Sequence, residues 1–518
     1  MLALAVALAG ALPLAAQSNE VALKSADGTV NLTGEFIEFK DDSYVIRTAL
    51  GDLRISASRV RCEGAACPTF ETATADVKLA GSDTVGLGLL PLLMTGYASF
   101  LNAEASVTNT EREGEVLANF VGDEGFGDEI GSYLVTSTSS SDAFSSLLEN
   151  TAQIGMSSRR IRPAEARELR DAGAGNMVSP QQEHVIAVDS LVVITHPGNP
   201  MEQLTIEDLG RIYAGEVVNW SDVGGPNLPI TVINRQEGSG TRSVFESRVY
   251  PGGDVASGEG QEVASDNNEM AAMVNGNEGA IGFVGYAFQR GAKALSLINE
   301  CGIPTTPDAF SSKTEEYTLQ RRLYLYNRGD NLEANADAFI QFSTSKDADG
   351  VIAKSGFIDL GIDRRQQPLD GVRARLLIEN TTDAFEAGVM REMLEIMPEY
   401  DRLSTTFRFK QGSSRLDEKG LTDMERLIDF LEREPEGTVI NLVGFTDSVG
   451  AFEANRNLSV DRAREVAFEL QNLAEGRLDN VTIEVSGFGE MAPTACNTSQ
   501  SGQAINRRVE VWLGNSAG

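Results

Sequence analysis

An apolar run fills residues 1–16, and beyond it short apolar and polar positions alternate. Over residues 21–60 the string VALKSADGTVNLTGEFIEFKDDSYVIRTALGDLRISASRV carries β-like runs broken by turn dipeptides such as Asp27-Gly28. A period of two with such breaks predicts a small β unit over residues 17–72. From residue 77 the pattern becomes apolar strand, Gly/Ser turn, helix, repeated. DVKLA leads into GSDTVG, and PITVINR leads into EGSGTR, each followed by a helical stretch. This predicts an α/β domain with a mainly parallel sheet over residues 73–361, long enough for two lobes. Residues 362–400 are charged and partly helical in pattern, and read as a connector. From residue 401 to 518 the pattern is βαβαβ. TTFRF and TVINLVGF read as strands, with Leu421, Met424, Leu427, Ile428 and Leu431 at helical spacing between them. A second helix carries Ala463, Val466, Ala467, Leu470 and Leu473, and VTIEVSGF and RRVEVWL complete the sheet. The expected fold class is multidomain α/β: a small β unit, a two-lobed domain and a compact βαβαβ domain.

Composition narrows the chemistry. The 518 residues hold 43 Lys and Arg against 76 Asp and Glu, a net charge of −33. Such acidity argues against nucleic acid as a partner. Only two histidines occur, His184 and His196. With no metal-ligand spacing among His and Cys, no metal site is expected, and no cofactor. The run MLALAVALAGALPLAA is shorter than the ~20 residues that span a bilayer and is followed at once by polar sequence, so it predicts an export signal. No basic residue precedes it, and Leu14 stands three before the expected cut. Cys62 and Cys67, five apart, fit a small disulfide-closed loop in an oxidising compartment. Whether Cys301 and Cys496 pair is not set by the sequence.

Three polar turns each open a helix in the larger domain: GSDTV at 81–85, TSTSSSD at 136–142 and GSGTR at 238–242. A helix N-terminus offers unpaired N–H groups and partial positive charge, and Ser and Thr hydroxyls add donors, so each turn suits an anion. Arg235, just before the third turn, adds a planar guanidinium for two ligand oxygens. With IGMSSRRI, AVDSLVVITHPGNPMEQLTIEDLGRIYAGEVVNW, INRQEGSGTRSVF and KTEEYTLQRRLYLY, residues 79–361 resemble the periplasmic phosphate-binding proteins of ABC transporters. The resemblance implies a two-lobed periplasmic-binding-protein fold with phosphate held by Thr84, the Val85 amide, Ser140, Ser158, Arg235, Ser239, Gly240 and Thr241. It also implies an ABC permease as a partner. Some members carry a carboxylate where this chain has Ser158, accepting the proton of hydrogen phosphate. Asp83, Asp142 and Glu237 are the candidates for that role here, and another tetrahedral oxyanion stays open as ligand.

The strings GFTDSVGAFEANRNLSVDRAREV, GFGEMAPTACN and GQAINRRVEVWL make residues 407–513 similar to the OmpA-like peptidoglycan-binding domain. That resemblance implies Asp447 and Arg462 as the pair that holds the diaminopimelate end of a stem peptide. Asp447 suits the ammonium and Arg462 the carboxylate. Ser459 is expected to cap the second helix and place Arg462 in its first turn. Asn455 is expected to organise the loop beside them, and Arg507 and Arg508 to form structural ion pairs. Together these motifs imply a phosphate receptor in the periplasm, associated with cell wall and outer membrane. Two other readings remain: a wall-linking protein whose receptor domain binds a protein or another oxyanion, and a phosphate-ester hydrolase using Ser239. Neither histidine lies in a motif that would activate that serine, so no catalytic residue is expected.

Overall fold

The computed structural model of the chain describes residues 19–24, 31–40, 43–49, 51–56, 60–64, 66–67, 74–110, 112, 114–250, 260–379, 381, 383–409, 416 and 418–514. The export segment and the Asp27-Gly28 turn lie outside the described residues. The chain divides into two compact units, residues 1–74 with 108–117, and residues 75–107 with 118–518.

The smaller unit is an antiparallel sheet. Its strands run in the order Gly51–Ser56, Ser43–Thr48, Asn31–Lys40, Glu20–Lys24, Arg61–Glu63. Alternation puts Val21, Leu23, Tyr44 and Ile46 on one buried face, joined by Val60. A disulfide joins Cys62 to Cys67, as their spacing suggested.

The larger unit begins with the two-lobed domain. In one lobe, Val77–Ser82 lies parallel to both Ile154–Ser157 and Glu129–Thr138. In the other, Thr231–Arg235 lies parallel to both Glu262–Ala264 and Ala280–Gly285. Between them run two long strands, Glu183–Thr195 and Gln320–Asn327, antiparallel to each other and to the lobe strands beside them. The sheet is therefore mixed, not mainly parallel. A chain that crosses from one lobe to the other and returns must supply one strand in each direction, and apolar patterning does not encode direction. Each lobe has its own core. One centres on Tyr97, Phe120, Tyr133 and Phe339, the other on Tyr213, Trp220, Phe245 and Phe283. The Phe245 and Phe283 rings stack with centroids 4.0 Å apart.

The C-terminal sheet has the order Arg364–Arg365, Tyr400–Arg408, Arg508–Gly514, Thr438–Gly444, Val481–Gly487. Helices Glu418–Leu431 and Phe452–Ala474 cover one face through Met424, Leu427, Ile428, Val466 and Leu470. The other face is covered by the stretch read as a connector. Its helices Val372–Glu379 and Ala384–Ile396 bury Leu377, Val389 and Met393 against Val443, Phe445, Phe488 and Trp512. The sheet is apolar on both faces, so a second layer has to come from somewhere, and the adjoining 362–400 stretch supplies it.

This sheet joins the two-lobed domain through a disulfide between Cys301 and Cys496, 195 positions apart. Ion pairs reinforce the junction: Arg426 to Asp349 at 2.7 Å, Arg365 to Asp308 at 2.6 Å, Arg408 to Glu315 at 3.3 Å, and Arg402 to Glu316. Arg402 also reaches Glu510 at 3.0 Å, a fully buried carboxylate that Arg373 and Arg508 share.

Candidate functional site

Each of the three polar turns does open a helix. Asp83 leads into a π-helical turn, Thr84–Leu89, that continues as the helix Leu90–Phe100. Ser139 caps Ser140–Leu148 by accepting the Asp142 N–H, and Ser239 caps Gly240–Val249 by accepting the Arg242 N–H. Gly81, at φ +135°, sits where a Cβ would lie 2.2 Å from the Met156 carbonyl, so only glycine lets the first turn lie this close to its neighbour.

The turns meet. Thr84 Oγ1 lies 3.3 Å from Thr241 Oγ1, and Ser140 Oγ lies 3.1 Å from Ser158 Oγ while accepting the Ser158 N–H. A Cβ on Gly240 would fall 2.3 Å and 2.4 Å from those two serine oxygens. Glycine there leaves the two hydroxyls room beside the start of the third helix. Thr84, Val85, Ser140, Ser158, Arg235, Ser239 and Thr241 are all buried.

Arg235 is 1% exposed. Its Nη2 donates to Asp83 Oδ2 at 2.9 Å and to the Ser265 carbonyl at 3.1 Å. Among the described residues its Nε and Nη1 are buried without a partner. A buried charged donor left unpaired costs more than the ~1–3 kcal/mol of a neutral one, so two such donors on one fork point to an acceptor with two oxygens. Of the three proposed proton acceptors, Asp83 alone contacts Arg235. Asp142 accepts the Ser139 hydroxyl, and Glu237 is exposed.

Two residues, Arg321 and Asn267, were missed from the sequence. Arg321, on the long strand Gln320–Asn327, donates from Nε and Nη2 to Asp189 Oδ2 at 2.9 and 2.6 Å, and from Nη1 to Thr241 Oγ1 at 2.8 Å. Asn267 donates to Thr84 Oγ1 at 3.2 Å, and the Gly285 N–H on its carbonyl oxygen fixes which end faces the threonine. Guanidinium and amide N–H groups can only donate. The two threonine oxygens therefore act as acceptors toward them, and their own protons are left for each other or for an anion. The available signal was a pair of arginines, Arg321 and Arg322, inside an otherwise apolar strand pattern.

The C-terminal candidates also converge, in a different state. Asp447 accepts the Val449 N–H at 3.0 Å and pairs with Arg507 at 2.7 Å. Arg507 thus forms the expected ion pair, and its partner is the proposed ligand carboxylate. Asn455 donates to the Asp447 carbonyl at 3.3 Å and to Glu490 at 2.6 Å, which holds the loop. Arg508 is buried against the Phe445 ring and pairs with Glu510. Arg462 lies over the Phe409 ring at 5.7 Å, with Nη1 buried and unpartnered among the described residues. Burial, then Arg507, lowers its pKa, and Asp447 opposes both.

Ser459 does not cap the helix. The helix spans Phe452–Ala474 with Ala451 before it, so Arg462 stands in its interior. Ser459 instead donates to the Arg456 carbonyl and accepts the Gly489 N–H. A Cβ at Gly444 would lie 1.9 Å from the Ser459 carbonyl, and one at Gly487 2.4 Å from its hydroxyl. The small Ser459 and two strand-end glycines let the helix press onto the sheet here, and this close approach positions Arg462.

Comparison with known sequences agrees with this architecture. Residues 68–347, more than half the chain, match the PBP superfamily domain, and the chain belongs to that superfamily. Residues 408–507 match the OmpA family, so a phosphate-binding-protein-like domain is fused to an OmpA-type domain. The phosphate-binding protein PstS of Borreliella burgdorferi is 26% identical over 186 residues, covering 35% of this chain and 66% of that protein. Outer membrane porin F of Pseudomonas aeruginosa is 36% identical over 109 residues, covering 21% of this chain and 30% of its own. The chain thus spans just under two thirds of the first relative and less than a third of the second. A solved Clostridium perfringens structure, a putative phosphate ABC transporter substrate-binding protein with bound phosphate, is 24% identical. It covers 55% of this chain and 98% of its own, at a TM-score of 0.43.

Proposed function

We propose that this protein is a phosphate receptor of the cell envelope, held to peptidoglycan by its C-terminal domain and serving phosphate capture or uptake. The observation that carries the reading is Arg235, whose buried guanidinium keeps two donors without protein partners beside the hydroxyls of the three turns. Thr84, Ser140, Ser158, Ser239 and Thr241 supply hydroxyls, and Val85 and Gly240 supply backbone N–H groups, for the remaining oxygens of a tetrahedral anion. Asp83, whose carboxylate accepts from Arg235, takes the proton of hydrogen phosphate in this reading.

In the wall-binding half, Asp447 takes the ammonium and Arg462 the carboxylate of a diaminopimelate-type stem peptide, with Asn455 holding the loop. The ligand's ammonium must then compete with Arg507 for Asp447. A receptor anchored in this way presents phosphate near the wall, to an ABC permease, rather than diffusing freely. Names of relatives support the phosphate and envelope parts of this reading: PstS is named a phosphate-binding protein and porin F an outer-membrane one. Calorimetry of the full chain against phosphate, sulfate and molybdate tests the first claim. Tight 1:1 phosphate binding is expected, with sulfate weaker. No phosphate heat, or binding unchanged in Arg235→Ala, would remove the receptor reading.

A further inference from the structure

A second cavity, of about 630 Å³, is lined by Arg159, Arg160, Arg162, Arg248, Arg321 and Arg322. In a chain of net charge −33 this clustering is unexpected, and among the described residues Glu315 is the one carboxylate in its lining. Four of the arginines are neutralised by partners. Arg159 pairs with Glu165 at 2.6 Å, Arg160 with Glu183 at 2.8 Å, Arg321 with Asp189 at 2.6 Å and Arg322 with Glu315 at 2.7 Å. Two are not. The Arg162 guanidinium donates only to the Ser243 hydroxyl, at 3.1 Å, and Arg248 makes no hydrogen bond or ion pair among the described residues. Burial lowers the Arg248 pKa, with Glu315 opposing, so this cation is held partly out of water with no counter-charge in contact among the described residues.

Two further features point to a ligand. The Gln320 side chain lines the same cavity with its oxygen buried and unpartnered, and an amide can turn either end toward a bound group. Arg321 is common to this cavity and to the Thr241 hydroxyl of the anion site. The volume falls within the ~300–1,000 Å³ usual for small-molecule sites and is far more than one orthophosphate fills. Guanidinium forks recognise phosphoryl oxygens in pairs. Two uncompensated forks in one open cavity suit a ligand carrying charge on more than one phosphoryl group.

We propose that this cavity binds the diphosphate or triphosphate group of a condensed phosphate, at a site separate from the buried one. That the neighbouring site takes orthophosphate rests on the function proposed above; the arginine cavity does not depend on it.

The test is calorimetry of the full chain with orthophosphate, pyrophosphate, tripolyphosphate and ADP, in the parent, in Arg235→Ala, and in Arg162→Gln with Arg248→Gln. Tripolyphosphate binding should survive Arg235→Ala and fall roughly ten- to a hundredfold in the double variant, while orthophosphate shows the reverse. Arg162 is exposed, so Arg162→Gln alone gives a smaller loss in a variant that folds if the double one does not. Binding of tripolyphosphate unaltered by these substitutions, absent from the parent, or abolished by Arg235→Ala would overturn the proposal. ADP binding no tighter than pyrophosphate shows that the phosphate chain is what is read. ADP much tighter would make the cavity a nucleotide site and overturn it too.

Discussion

Arg235 and Arg462 both keep guanidinium nitrogens without a protein partner, but the chain holds them differently. Arg235 ends a strand, is 1% exposed, and is pinned at one nitrogen by Asp83 and the Ser265 carbonyl. Arg462 projects from the interior of a helix and rests on the Phe409 ring, half-buried, while the carboxylate proposed to work with it is engaged by Arg507. The first arrangement is preorganised for a small rigid anion, which binds without moving the protein groups. The second suits a flexible zwitterion that must displace an existing ion pair. Two arginines that each keep a free donor would thus suit different ligands through what holds the rest of the side chain.

The largest expected effect comes from removing the pinned arginine. Arg235→Ala should weaken phosphate by roughly a thousandfold, two charged hydrogen bonds' worth, and erase the phosphate-dependent rise in melting temperature. Survival of that rise would break the contrast at its stronger end. Next is Gly240→Ala, whose new Cβ would collide with the Ser140 and Ser158 hydroxyls. A loss of about a hundredfold in phosphate affinity is expected, with wall binding untouched. Arg462→Ala should then lower retention on purified peptidoglycan by about tenfold, and Arg462→Lys should not restore it, because an ammonium lacks the two-pronged fork. Recovery by lysine would show that charge alone matters there.

A salt series separates the two sites further. From low salt to about 0.15 M, peptidoglycan retention should fall several-fold while phosphate affinity at the buried site changes little, since screening reaches half-exposed charges and not enclosed ones.

The smallest effect, on stability, follows from pH. Burial works to raise the Glu510 carboxyl, but Arg373, Arg402 and Arg508 outweigh it and hold it below its ordinary value of 4.5. The same balance, with Arg322 first among the cations, depresses Glu315. A depressed folded pKa means the stabilisation is complete above about pH 4.5 and is lost as pH falls toward the folded value. Acidification below pH 4.5 should therefore loosen the junction and split one melting transition into two. A melt that stays single in acid would show that Glu315, which crosses to Arg408, does not hold the halves together.

The three helix starts could be read from sequence because caps and glycine turns are local: Ser139, Ser239 and Gly81 act within a few residues of themselves. Arg321 could not, since its contacts with Asp189 and Thr241 are 132 and 80 positions away. Ser459 was misread because serine caps helices far more often than it fills a gap between a helix and two glycines, and only the packed structure distinguishes these uses. The helices over residues 372–396 went unassigned to a core because the face they cover belongs to strands more than forty residues later. Strand direction failed for the reason that made the lobes succeed: patterning reports burial, and both senses of a buried strand look alike.

The bond between Cys301 and Cys496 has a consequence for survival in a changing envelope. With a covalent tie and ion pairs between them, the two-lobed and C-terminal domains are expected to unfold as one cooperative unit, so an anion bound to one would protect the other by mass action. At a phosphate concentration about 100 times the dissociation constant, that protection amounts to roughly 2.7 kcal/mol shared across the junction. Removing phosphate would then lower the heat resistance of the C-terminal domain as well, and a reductant would uncouple the two.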